Sequence, residues 1–418
     1  MNNKLDILNI IDKKRTNQAL SKEEIEFAFL GYLKGKIENY QMSSLLMAIC
    51  INGMTLQETI DLTDIMLKSG SRLDTSKIKG IQVDKHSTGG VGDKTTLIIG
   101  PILACLGLKV AKLSGRGLGL TGGTIDKLES IPGLKLKYTN EEFIKNVNKV
   151  GFALMEQTSE LAPLDKVIYD LRNATGTVSS IPLIASSIMS KKLAVGAKYI
   201  LIDLKVGSGA LIQNEKDAKL LASTMIKIGK IYDTTVIPVL SGMDTPLGDN
   251  VGNALEIIEA GEVLNGKKGN LRDLSIELSS VLLSKATNIG IREAKKRVTE
   301  VLDNGAAYKK FQEFVKNQGG NLSKIKTARN IENVASLEEG VISEISASKI
   351  AQISLNLGAG KKKLTDKVNH DVGIVLKKHI GDYVKKGDIL LSIYKQTSSY
   401  HGKEARKAFK IVKSTKMK

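Results

Sequence analysis

The sequence predicts an α/β protein: a small all-helical domain, a large mixed or mainly parallel-sheet domain, and a C-terminal α+β, barrel-like subdomain. Three observations predict it. Apolar residues recur at helical spacing through residues 1–69. From about residue 80, β-rich runs ending in glycines alternate four times with helical stretches. Beyond about 340, short apolar–polar alternations are broken by Gly-Asp turns, as in small β-structures. A chain of 418 residues also exceeds one ordinary core. The expected division is 1–69 joined by about 164–196, then 75–163 with 197–320, then 335–418.

Each element has a local reason. LDILNIID carries a helical apolar stripe, and SKEEIEFAFLGYL opens with Ser21 and Glu24 as a capping box. Thr55 and Glu58 form a second box ahead of a third amphipathic run. The α/β pairs follow: IQVDKHSTGGVGD before TTLIIGPILACLG, and LKVAKLSGRGLGLTGG before TIDKLES. KYILIDLKVGSGA precedes EKDAKLLASTMIKIGK, and TTVIPVLSGMD precedes NALEIIEAGEVL. In such sheets ligands bind beyond the carboxyl ends of the strands, where these glycine loops fall. Residues 164–196 add a helical piece, NQGGNLSKIKTARNIEN reads as a linker, and GVISEISAS begins the β-rich end.

Composition narrows the function classes. The net charge of +18 is carried mostly by scattered lysines rather than by the arginines that forked phosphate recognition favours, which argues against nucleic-acid binding. There is no tryptophan to stack bases. No apolar run approaches a membrane span and no signal peptide opens the chain, so a cytoplasmic protein is expected. Cys50 and Cys105 lie in apolar helical patterns and are expected to be buried thiols.

Two loops carry chemistry. In KHSTGGVGDKTT, glycines let backbone N–H groups approach an anion while Lys85, Ser87 and Thr96 add donors. In the second loop Lys112 and Ser114 end a strand, SGRGLGLTGG follows, and Thr124 starts a helix. Two such cradles on neighbouring strands can grip one anion, and the absence of GxxxxGK[ST] speaks against a P-loop. His86, set against Lys85, has a reason to remain neutral within reach of a bound ligand. His370, His379 and His401 show no metal-ligand spacing.

VDKHSTGGVGDK and SGRGLGLTGGTIDKLES resemble the signature regions of the pyrimidine and thymidine nucleoside phosphorylases. LRNATGTVSSIPLIASSIMSKKLA, LKVGSGA and NALEIIE resemble further segments in the same order. The resemblance implies cleavage of a pyrimidine nucleoside by inorganic phosphate, giving free base and (deoxy)ribose 1-phosphate. It implies phosphate binding by Lys85, His86, Ser87, Thr96, Lys112, Leu113, Ser114 and Thr124, and pyrimidine binding by Arg172, Ser187 and Lys191. Ser187 and Lys191, four apart, share one helix face. His86, Arg172 and Lys191 would be the catalytic group, His86 facing the base O2 as charge develops there. An oxocarbenium-like sugar, domain closure about hinges near 70–80, 160–165 and 192–197, and a homodimer through the N-terminal helices are implied as well.

The resemblance further implies a potassium site at Gly92, Lys94, Leu247, Asn250 and Glu259, with Lys94 coordinating through its main chain and its side chain pointing away. Leu120 and Leu211 depart from the family pattern, where a histidine and an aromatic are common, and this opens base and sugar preference. A broad pyrimidine-nucleoside phosphorylase is expected, with a strict thymidine phosphorylase as the alternative. A more distant alternative is a phosphoribosyltransferase resembling the anthranilate enzyme. A lipoyl-type carrier role through Lys367 is disfavoured by its short interval to Gly381-Asp382.

Overall fold

The computed structural model of the protein describes residues 5–117, 122–158, 160–363, 365–396 and 401–413. Four helices come first: α1 (Ile7–Arg15), α2 (Lys22–Leu33), α3 (Asn39–Asn52) and α4 (Leu56–Lys68). The capping boxes of Ser21 with Glu24 and of Thr55 with Glu58 are both formed, satisfying backbone donors that a helix start leaves orphaned.

Next come β1 (Gln82–Ser87), α5 (Thr95–Cys105), β2 (Lys109–Ser114), α6 (Thr124–Leu128), α7 (Asn140–Val150) and β3 (Phe152–Glu156). They are followed by α8 (Pro163–Thr175), α9 (Ile181–Val195), β4 (Tyr199–Val206), α10 (Glu215–Ile231) and β5 (Thr235–Gly242). The sheet order is β3-β2-β1-β4-β5, with β1–β2 and β2–β3 parallel. Because the chain returns to the same edge through helices, β1 and β2 deliver both glycine loops to one end of the sheet.

Then follow β6 (Asn250–Val251), α11 (Asn253–Leu264), α12 (Asn270–Thr287), α13 (Ile291–Asp303) and α14 (Ala306–Asn317). The remaining elements are β7 (Asn330–Ala335), β8 (Gly340–Ile345), α15 (Ala347–Asn356), β9 (Gly373–Leu376), β10 (Tyr383–Val384), β11 (Ile389–Lys395), α16 (Gly402–Arg406) and β12 (Phe409–Val412). They make two small sheets, β10-β8-β12 and β6-β9-β11-β7, with antiparallel pairings. Part of the expected linker is strand β7, because NIENVA pairs with β11.

The chain forms two compact units. One comprises Met1–Lys77, Gln157–Ile200 and Asn214–Pro238, and the other Ile78–Glu156, Leu201–Gln213 and Val239–Lys418. The core of the helical unit joins Ile25, Phe29, Leu46 and Leu62 to Leu164, Ile168 and Leu183 from α8 and α9. A buried ion pair, Lys14 with Glu58 at 2.8 Å, ties α1 to α4 beneath that core. Cys50 and Cys105 are half-buried rather than buried. Partial burial nonetheless pushes both thiols up, that of Cys105 to about 11, because it disfavours the thiolate.

Candidate active site

In the helical unit, α8 presents Asp165, Tyr169 and Arg172, and α9 presents Ser187 and Lys191. The Lys191 ammonium donates to Asp165 Oδ2 at 2.5 Å and to Ser187 Oγ at 2.8 Å. That leaves one of its three N–H donors uncommitted by these bonds. The hydroxyl of Ser187, an acceptor toward Lys191, keeps its own proton to donate.

Arg172 is 1% exposed. Its Nε donates to the Thr177 carbonyl at 3.2 Å, Nη1 to Leu183 at 3.2 Å and Nη2 to Val178 at 2.6 Å. Three of five N–H donors thus hold the turn between α8 and α9, and two are unused by these bonds. Burial lowers the affinity of Arg172 for its proton, and the nearby Asp165 carboxylate opposes this. The half-exposed Tyr169 ring lies 6.0 Å from both the Arg172 guanidinium carbon and Lys191 Nζ, at the outer limit of a cation–π contact.

The sheet unit has a different construction. Beneath the first glycine loop, Lys85 Nζ donates to Thr95 Oγ1 at 2.6 Å and lies 3.4 Å from Asp203 and 3.9 Å from Asp93. Lys205 pairs with Asp203 at 2.9 Å and donates to Ser241 Oγ at 3.0 Å; Ser241 in turn donates to Asp203 at 2.5 Å. Lys112 sits 3.5 Å from Asp84, and Lys127 bonds the Asp93 carbonyl at 2.6 Å and Glu256 at 2.8 Å. Burial by itself would raise the Asp93 carboxyl, but Lys85, Lys205 and Lys127 outweigh it and hold it well below the usual range. Four lysines therefore balance Asp84, Asp93, Asp203 and Glu256 in formal charge.

The predicted phosphate ligands divide accordingly. Lys85, Lys112, Leu113 and Ser114 are buried at the strand ends, whereas His86, Ser87, Thr96 and Thr124 are partly open. Thr96 lies in the first turn of α5, and Ser87 Oγ accepts from the Gly89 N–H at 3.2 Å. The second loop is pinned at both ends by Asp126 Oδ2, which accepts from Gly117 N at 2.6 Å and Gly123 N at 3.1 Å. Arg116 clamps its approach through Glu129 and Glu156. Leu120 lies outside the described residues; Leu211 is half-exposed. The sequence reading missed Asp93, Asp165, Asp203 and Lys205. Asp203 and Lys205, two polar residues alternating within the apolar strand YILIDLKV, were the available signal.

The expected potassium ligands do gather. Lys94, however, points inward, not away. Its ammonium donates to the carbonyls of Leu247 at 2.9 Å and Asn250 at 2.8 Å and to Glu259 Oε2 at 2.5 Å. Burial pulls the Glu259 carboxyl up, but Lys94 and the N–H groups of Asp249 and Asn250 pull it lower than usual. A potassium ion at the same centre would stand against a fixed ammonium, a repulsion of about 4 kcal/mol at 4 Å for an effective dielectric near 20. The residues present do not fit that ion.

Three family models match the chain: the helical bundle domain of a glycosyl transferase family over residues 8–70, its a/b domain over 79–308, and the pyrimidine nucleoside phosphorylase C-terminal domain over 341–413. The chain is 48% identical to the pyrimidine-nucleoside phosphorylase of Staphylococcus haemolyticus (strain JCSC1435), over 93% of this chain and 92% of that one. It is 46% identical to that of Geobacillus stearothermophilus and 47% to that of Bacillus subtilis (strain 168), each again over 93% of this chain and 92% of the relative. Among solved structures, anthranilate phosphoribosyltransferase from Thermus thermophilus shares the fold, with a TM-score of 0.59 and 18% identity. That match covers 74% of this chain and 99% of the other. The chain belongs to the pyrimidine-nucleoside phosphorylase family of glycosyl transferases.

Proposed function

We propose that this chain cleaves pyrimidine nucleosides with inorganic phosphate, releasing free base and ribose or deoxyribose 1-phosphate, and that it accepts uridine, thymidine and deoxyuridine. The observation that carries the proposal is identity of 46–48% to pyrimidine-nucleoside phosphorylases over 93% of the chain. The geometry supports it. Because the lysines of the sheet unit are balanced by carboxylates, phosphate is gripped by hydroxyls of Ser87, Thr96, Ser114 and Thr124 and by loop N–H groups. The first turn of α5 adds its positive end, and Lys85 and Lys112 set the field from beneath.

In the reaction a phosphate oxygen bonds to the anomeric carbon as the glycosidic C–N bond breaks and its electrons move onto the base. His86 meets the charge that develops at the base O2. Arg172, Ser187 and Lys191 hold the ring through the donors left over from their structural bonds, and these donors read edges that uracil and thymine share. No covalent nucleophile is required; positioning and exclusion of water suffice. As functional modules we take 1–69 with about 164–196, 75–163 with 197–320, and 335–418, a division other than that of the two compact units, which groups 214–238 with the helices and 335–418 with the sheet. A homodimer through the helical unit is supported by Leu8, Tyr40, Met47 and Ile51, apolar side chains left exposed on α1 and α3. We place the enzyme in the cytoplasm. Among the described residues no helix is long and apolar enough to cross a membrane. No observation favours the phosphoribosyltransferase alternative beyond the shared fold.

The test is base release from uridine and thymidine with and without phosphate, with the sugar product identified by phosphorus NMR. Phosphate-dependent release with a sugar 1-phosphate is expected. Equal release in phosphate-free buffer, giving free sugar, would sink the proposal.

A further inference from the structure

The centre around Lys94 is a built site. Lys94 is 1% exposed and Glu259 is 1% exposed, and the ammonium meets three oxygens with its three donors, so no donor is left over. Two main-chain carbonyls and one carboxylate are hard oxygen ligands, the kind that suits an alkali or alkaline-earth cation. Two glycines close around them. Gly92, at φ +72°, would place a Cβ 2.7 Å from the Leu247 carbonyl, and Gly248, at φ +74°, one 2.8 Å from both Glu259 oxygens. The Lys267 ammonium lies 3.5 Å from the other Glu259 oxygen and 2.9 Å from Asp249, so the carboxylate already has cationic neighbours on both sides.

We infer that the Lys94 ammonium is a built-in replacement for a monovalent cation, and that it makes the fastening of residues 247–250 to α11 and the start of α5 independent of potassium. Lys94 caps α5, and its three acceptors lie 153, 156 and 165 residues further along the chain. A bound ion stabilises only while its concentration exceeds its dissociation constant. A side chain anchored to the backbone cannot leave.

The experiment compares thermal unfolding in potassium chloride and in tetramethylammonium chloride of equal ionic strength, for the full chain and two variants. Wild-type protein should melt at the same temperature in both salts. Lys94→Ala, which removes the charge and opens room for an ion, should melt several degrees lower in tetramethylammonium and recover on saturation with potassium. Lys94→Met, which removes the charge but fills the room, should be destabilised equally in both salts. Thallium(I), followed by its NMR signal, should bind Lys94→Ala and not the wild type. A saturable, potassium-specific rise in the wild-type midpoint overturns the inference, as does a folded Lys94→Ala that ignores potassium. Should both variants fail to fold, the wild-type midpoint and thallium measurements decide alone. None of these readouts depends on the reaction catalysed.

Discussion

Lys191 in the helical unit and Lys205 in the sheet unit are both paired with aspartate, Asp165 at 2.5 Å and Asp203 at 2.9 Å, yet their surroundings differ. Lys191 retains 21% of its side-chain exposure, whereas Lys205 and Asp203 have none. The first pair stands on two helices, and the bonds of Lys191 to Asp165 and Ser187 commit two of its three donors. The second is locked into a chain running through Ser241, Lys85 and Asp93. A buried charge that loses its partner costs far more than one that water can reach. In the sheet unit the buried lysines are tied to carboxylates beneath the loops. In the helical unit Lys191 keeps partial access to water.

The largest effect is expected at His86, the partly open residue between the buried Lys85 and the hydroxyl of Ser87. His86→Ala should lower kcat by roughly two to four powers of ten with a smaller change in the KM for phosphate. Near-wild-type turnover in a folded variant would reduce His86 to a loop residue. Lys205→Met should cost about 3–5 kcal/mol in urea unfolding, because it leaves the buried Asp203 to share the Lys85 ammonium with Asp93. A loss below about 1 kcal/mol would show that the network is not cooperative and would erase the contrast between the units.

Base choice should move less. With donors directed only at shared edges, the specificity constants for uridine and thymidine should fall within roughly two to three powers of ten of each other. Inert uridine beside rapidly cleaved thymidine would make the enzyme a strict thymidine phosphorylase. A smaller stability change than that of Lys205→Met is expected for Lys191→Met, since the lysine end of this pair is 21% exposed, although Asp165 is buried. Its signature should lie in the KM for the nucleoside, which should rise while that for phosphate holds. A stability loss as large as that of Lys205→Met would refute the distinction drawn between the two pairs.

Acid stability offers a further check on the sheet unit. The Asp93 and Glu259 carboxyls are held lower in the folded chain than in the unfolded one. Their contribution is complete above the ordinary carboxylate range and is lost as pH falls through the lowered folded values. Unfolding free energy should therefore drop below about pH 4.5, and replacing Glu259 with Gln should flatten that drop.

Much of this protein was legible in its residues. The boxes at Ser21–Glu24 and Thr55–Glu58 form because each joins groups three positions apart, so local backbone energetics suffice to set them. The turn of the first glycine loop was legible for the same reason, as was the pairing of Ser187 with Lys191 on one turn of α9. The direction of Lys94 was not. It is fixed by carbonyls more than 150 residues away, and nothing in GVGDKTT distinguishes a side chain turned to solvent from one turned to α11. The same holds for Asp203 with Ser241, for Asp84 with Lys112, and for β6, which joins the C-terminal strand β9 across more than 120 residues. By itself the sequence determined where capped helices start and where glycines let the chain turn. Only the tertiary structure decided which charges the glycine loops bury and what neutralises them. Burial and Coulomb attraction depend on which distant segments close together, and local spacing carries no record of that.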